Sequence, residues 1–220
     1  MNNKIITSGI PDSEFIRGKV PITKEEVRVI TLSKLRLQAD DVLLDIGAGT
    51  GSISIEAARL LSSGRVVAVE HNAEAVGLIR QNVQKFGVGN LQLVEGSAPE
   101  VLAGVSGITK AVVGGTGGHL TKVLEWLDAN LPVGGRVVAN AVTLGTLNGL
   151  EKFFRERGYV SVEIVQVAIS RFEPVSKHLM IKANTPVFVV TAEKSLTHNP
   201  SPKERGDFDS IIGLTSPNFI

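Results

Sequence analysis

The chain has 220 residues, 43% of them apolar and 20% charged, which suits one sizeable soluble domain with or without small additions. Its 23 Lys and Arg nearly balance 22 Asp and Glu, and a net charge of +1 lacks the basic excess of a dedicated nucleic-acid binder. The absence of cysteine excludes disulfides, thiolate metal sites and cysteine nucleophiles, and no run of residues is apolar enough to cross a membrane.

No histidine pair has metal-ligand spacing, so no metal site is expected. The first residues carry no apolar leader, which points to the cytoplasm and to no membrane partner. From about residue 24 to residue 192, short apolar runs alternate with helical patterns. Thr23 reads as the cap of a first helix, with Glu26 completing a capping box ahead of Val27, Ile30, Leu32 and Leu35. Val42-Leu43-Leu44-Asp45-Ile46 reads as a buried strand, and the turn from Gly47 to Gly51 leads into a helix over 53–62. Val66 to Val69 forms a second strand that ends at Glu70, and a helix over 73–86 follows, closed by Gly87.

Leu91 to Val94 reads as a third strand, with a short helix beginning near Pro99. Ala111 to Val113 is a fourth, running into the glycine turn 114–118 and then a helix over 119–130, in whose interior Trp126 and Leu127 fall at core spacing. Pro132-Val133-Gly134-Gly135 turns the chain into a strand over 136–141, and a helix over 145–157 stops at Gly158. The last elements change character: 160–170 and 186–192 read as two strands joined by a segment without a helix. Residues 193–220 form a polar arm containing several prolines.

Strands alternating with helices imply βαβ units and an open, mostly parallel sheet. The closing strand pair, lacking a crossover helix, places an antiparallel strand at one edge. This α/β pattern is that of class I S-adenosylmethionine-dependent methyltransferases rather than of nicotinamide dehydrogenases.

The sharpest motif is Asp45-Ile46-Gly47-Ala48-Gly49-Thr50-Gly51. Its glycines let the chain turn tightly at a strand's carboxyl end and let a ligand approach the backbone. A dinucleotide site wants G-x-G-x-x-G, but here Ser52 stands at the third glycine's place. Asp45 would repel a pyrophosphate, whereas it is compatible with the ammonium group of S-adenosylmethionine. Glu70 can accept both ribose hydroxyls, although nicotinamide enzymes use an acid in the same way. Ser97 could bond the adenine amino group while Ala98 packs against its ring, with Val94 and Gly114-Gly115 completing the pocket.

Several strings go further. Gly9-Ile10-Pro11-Asp12-Ser13-Glu14-Phe15, Val20-Pro21-Ile22-Thr23-Lys24-Glu25-Glu26-Val27-Arg28, Glu95-Gly96-Ser97-Ala98-Pro99-Glu100 and Val112-Val113-Gly114-Gly115-Thr116-Gly117-Gly118 accompany the glycine loop. Together they resemble the decarboxylating precorrin C15-methyltransferases of cobalamin biosynthesis, over roughly residues 9–192. The resemblance implies methylation of C15 of precorrin-6B or its cobalt form, coupled to loss of CO₂ from the C12 acetate. It implies cofactor contacts by Ile22, Thr23, the loop 47–51, Glu70 and Ala98, and a segment 1–23 lying over the active site of a domain spanning 24–192. It implies a homo-oligomer, with tetramers among similar proteins, and a separate C5-methyltransferase as partner, since no second module fits in this chain.

A substrate with many carboxylates calls for cations. Arg17, Lys19, Lys24 and Arg28 form one candidate cluster, and Arg171, Lys177, His178 and Lys182 a second; Gly115 joins the substrate side. Arg171, His178 and His119 are the candidates for a catalytic part, against the plainer readings of surface charge and, for His119, a helix cap. No nucleophile–base pair is apparent, as expected if the macrocycle is itself the nucleophile. Three other readings stay open: a class I enzyme acting on RNA or protein, a nicotinamide-dependent oxidoreductase, and a non-catalytic oligomeric module that kept the cofactor pocket.

Overall fold

A computed structural model describes residues 8–196. Seven strands form one sheet: β1 (Val42–Ile46), β2 (Arg65–Glu70), β3 (Leu91–Glu95), β4 (Lys110–Val113), β5 (Arg136–Ala141), β6 (Val160–Val167) and, last in the chain, β9 (Val187–Glu193). Their order is β3-β2-β1-β4-β5-β9-β6. The first five run parallel, and Leu44 of β1 sits beside Val67 on one side and Ala111 on the other. Both faces of β1, β2, β4 and β5 are covered, so these strands carry nearly continuous apolar side chains rather than an alternation.

Five helices supply that cover: α1 (Glu25–Leu35), α2 (Ser52–Leu60), α3 (Ala73–Phe86), α4 (Leu120–Asn130) and α5 (Leu144–Glu156). Leu44, Val67, Val113 and Val137 pack with Leu124, Leu127, Leu150 and Phe154 of α4 and α5 on one face. Leu43, Val66, Val112 and Val138 pack with Val27, Leu32, Ile53 and Ala57 of α1 and α2 on the other. Trp126 lies against the first of these clusters and Leu127 within it. No described helix is long and apolar enough to cross a membrane.

The antiparallel strand is β9, which pairs with β5 on one side and with the edge strand β6 on the other. The segment between β6 and β9 is a hairpin, where the sequence suggested only a connection. Its strands β7 (Ser170–Val175) and β8 (His178–Ala183) form a sheet of their own, with Phe172 opposite Ile181. The arm assigned to 193–220 lies outside the described residues beyond 196.

The start of α1 also differs from the capping box read in the sequence. Lys24 is the N-cap residue and no side chain caps the helix. Arg28 takes over that corner, its Nη1 donating to the Thr23 carbonyl. Arg28 is fully buried. Its Nε donates to Glu56 of α2 at 2.6 Å, Nη1 also reaches Asp12 at 3.1 Å, and Nη2 donates to the Ile10 carbonyl. Glu56 in turn accepts the backbone N–H groups of Gly9 and Ile10. The Phe15 ring lies 4.8 Å from the guanidinium and 4.9 Å from the Phe86 ring.

Further along, Asn82 of α3 accepts from the Ile16 N–H and donates to both the Ile16 carbonyl and the Thr50 carbonyl. Glu74 accepts from the Lys19 N–H. Residues 9–24 are thereby stapled to α1, α2 and α3 as a strap. It passes over the turn after β1, where a Cβ on Gly49 would come within 3.6 Å of the Pro21 carbonyl.

Candidate functional site

The carboxyl ends of β1, β2, β3 and β4 meet where the strand order reverses between β1 and β4, which is where a crevice opens in an open α/β sheet. β1 ends in Gly47 with φ of +73°, and a Cβ built there would lie 2.3 Å from the Gly115 carbonyl oxygen. Only glycine satisfies both the left-handed turn and this approach of two backbones. The gap beyond them is a narrow crevice, open to solvent, lined by Gly47, Glu70, His71, Ser97, Ala98 and Gly115, among others.

Glu70 is buried at the end of β2 and its carboxylate is fixed by three backbone donors. Oε2 accepts from Gly49 at 2.8 Å, and Oε1 accepts from His71 and Asn72, each at 2.9 Å. A carboxylate offers about four acceptor positions, so one is left open to a hydroxyl. The expectation of a grip on two hydroxyls therefore meets a carboxylate that also ties the turn after β1 to the turn after β2. The His71 ring, which the sequence reading did not single out, stands with Nδ1 3.3 Å from Glu70 Oε1.

Asp45 lies beneath the loop instead of lining the cavity. It is fully buried, and burial pushes its carboxyl up to about 6; the Ser54 hydroxyl that donates to it pulls the other way, and the charge of Glu70 adds to the rise. Thr50 is buried as well. Ile22 packs on the cluster of Ile10, Phe15 and Ile55, and Thr23 contributes its carbonyl to Arg28. Among the loop residues 47–51, the cavity wall includes Gly47, with Ala48, Gly49, Thr50 and Gly51 forming the turn behind it. Val94 packs against the core rather than the cavity.

A second, more spacious open cavity adjoins the first and shares Gly115, Thr116 and Gly117 with it. Leu120, Val142 and Leu150 line its far side, and Gly114 belongs to this cavity. Neither Thr116 nor the Val142 lip carried a signal in the sequence, because a threonine within glycines and a valine after a strand are unremarkable there.

The candidate cations separate into different roles. Arg28 is a buried clamp and not a substrate ligand, a correction that follows from its contacts with Glu56 and Asp12. Lys24 pairs with Asp12 at 3.5 Å. Arg17 and Lys19 are exposed on the strap. Arg171 pairs with Glu26 at 2.6 Å and Lys182 with Glu173 at 3.2 Å. Lys177 occupies the hairpin turn, and His178 opens β8; both are exposed. His119 is the N-cap residue of α4, but its side chain makes no capping bond.

Comparison with known proteins agrees with this geometry. The precorrin methyltransferase domain family matches residues 14–194. The chain is 38% identical over 188 residues to the cobalt-precorrin-6B C(15)-methyltransferase (decarboxylating) of Salmonella typhimurium, covering 85% of this chain and 97% of that one. Its fold is similar to the precorrin-6Y C5,15-methyltransferase structure from Geobacter metallireducens, with a TM-score of 0.81, 42% identity and coverage of 87% of this chain and 100% of that one. It is also similar to a structure described as precorrin 8w decarboxylase from Methanobacterium thermoautotrophicum, with a TM-score of 0.77, 34% identity and coverage of 83% and 98%. With its sheet order, its glycine crevice and these likenesses in agreement, the chain belongs to the precorrin methyltransferase family.

Proposed function

We propose that this protein is an S-adenosylmethionine-dependent C-methyltransferase of corrin biosynthesis in the cytoplasm. It methylates C15 of precorrin-6B or its cobalt form and removes CO₂ from the C12 acetate side chain, the reaction for which its relative is named. The observation that carries the reading is the pair of cavities joined at Gly115–Gly117: one is built around a buried carboxylate, the other has an uncharged lining.

The cofactor is assigned to the first crevice on the chemistry of its lining. Glu70 has an acceptor position for a ribose hydroxyl, Ala98 and Gly115 wall the space for a flat base, and Ser97 offers a hydroxyl beside it. When bound, S-adenosylmethionine supplies an electrophilic methyl on a sulfonium. Ile22, Thr23 and the loop 47–51 would hold it from the strap side, and Asp45 would supply negative charge toward its ammonium group. The protein's task is alignment and exclusion of water, because the conjugated carbon of the macrocycle is nucleophilic without a protein base.

Arg17, Lys19 and Lys177 are free to meet substrate carboxylates; Arg171 does so on exchanging Glu26 for the substrate. His119 and His178 stand at exposed positions from which a proton can pass to the macrocycle. The hairpin supports a homo-oligomer: Phe172, Leu179 and Ile181 are 64%, 67% and 65% exposed, and the cross-strand pairing puts them on one face. A tetramer and a separate C5-methyltransferase complete the proposal.

The test is incubation with cobalt-precorrin-6B and S-adenosylmethionine, followed by mass spectrometry. Gain of one methyl with loss of one CO₂ is expected; unchanged substrate, with the protein folded, overturns the reading.

A further inference from the structure

The cavity beside the cofactor crevice has a property that a polycarboxylate substrate makes informative. Among the described residues, none that line it is charged. Its hydrogen-bonding side chains are those of Thr116, Asn140 and Thr146, set among Leu120, Val142 and Leu150. The exposed cations on the strap and the hairpin lie outside this lining. The amino ends of α4 and α5 flank it and offer partial positive charge only.

We propose that this uncharged cavity receives the acetate arm that loses CO₂, so that Val142 and Thr146 set the rate of decarboxylation separately from methyl transfer. The inference rests on the reaction proposed above and deepens it. In the step, the bond between the methylene and the carboxylate carbon breaks and CO₂ leaves. The bonding electron pair passes into the conjugated ring, and the methylene carbon then takes a proton from solvent to become a methyl group. Methyl transfer draws an electron pair from the ring and CO₂ loss returns one, so the two together need no oxidant or reductant.

Before the bond breaks, negative charge is concentrated on two oxygens; as it breaks, the charge spreads over the macrocycle. A wall without cations raises the energy of the first arrangement more than that of the second. A cation here acts in reverse, pairing with the carboxylate and deepening the ground state. The partial charge of the helix ends retains the arm without neutralising it.

The experiment compares Val142→Lys with Val142→Met, a pair of similar length that differs in charge. Val142 is 60% exposed at the mouth, so a lysine there stays protonated and folding is undisturbed. Both variants and the wild-type protein are first checked for binding of S-adenosylhomocysteine, then given cobalt-precorrin-6B and S-adenosylmethionine. Released CO₂ and transferred methyl are followed separately. The proposal expects Val142→Lys to release CO₂ at least about tenfold more slowly than Val142→Met, while methyl transfer stays within a few-fold.

Equal CO₂ release by the two variants overturns it. So does a parallel fall of both steps, which would put the charge effect on seating the whole macrocycle. Should the lysine variant fail to bind the nucleoside, Thr146→Lys against Thr146→Met makes the same comparison from the first turn of α5. A wild-type protein that performs neither step refutes the proposed function instead, so the two failures are distinct.

Discussion

Replacing Arg28 by methionine removes a fully buried guanidinium and leaves Glu56, itself only 3% exposed, with its charge opposed by two backbone N–H groups alone. Breaking a buried ion pair from one side costs about 3–5 kcal/mol, because the surviving charge is left uncompensated. The Thr23 and Ile10 carbonyls lose their guanidinium donor as well, while Asp12 is partly solvated and adds little. At roughly 2–4 °C per kcal/mol for a domain of this size, Tm should fall by roughly 6–20 °C. Glu56→Gln in the Arg28→Met background removes the stranded charge and should restore at least about half of the loss. Calorimetric melts of the wild type, the two single variants and the double variant decide the matter. A fall of less than about 3 °C for Arg28→Met, or a double variant no more stable than Arg28→Met alone, refutes the picture of Arg28 as the clamp of the strap.

Asp45 makes a pH prediction with a definite sign. Its carboxyl titrates near 6 in the fold, above the usual 3.8, so the folded state holds this proton more tightly than the unfolded state. Burying the group costs nothing below pH ~4 and progressively more up to pH ~6, by about 3 kcal/mol in all. The melting point of Asp45→Asn minus that of the wild type should therefore rise across this window; a constant difference contradicts it. For the hairpin, Phe172→Ser with Ile181→Ser should lower the sedimentation coefficient without loss of secondary structure. An unchanged coefficient would remove this face from any oligomer contact.

What could be read from the sequence follows from how local each signal is. β1, its glycine turn and α2 are dictated by neighbours in the chain: an apolar run, glycines needed for a positive φ, and then a helix pattern. α3 was legible to the residue, since Asn72 caps it through its own side chain and Gly87 closes it. The site's acid, Glu70, stood out because it ends an apolar strand. The strap's fastening was hidden because Arg28 looks like any helix-surface cation until Glu56 arrives from a different helix. An acid within the apolar and small residues of α2 was the one available clue. The hairpin was missed because Pro174 breaks its pattern, and both strands are exposed, so no buried face imposed a clean alternation.

The account depends above all on Glu70 gripping the sugar of a sulfonium nucleoside at the end of β2. Calorimetric titration of S-adenosylhomocysteine into the wild type and into Glu70→Ala, with melts to verify that both are folded, tests it most directly. The account predicts clear binding by the wild type and at least about tenfold weaker binding by the variant, equivalent to ~1.4 kcal/mol. Equal affinity in two folded proteins would contradict it.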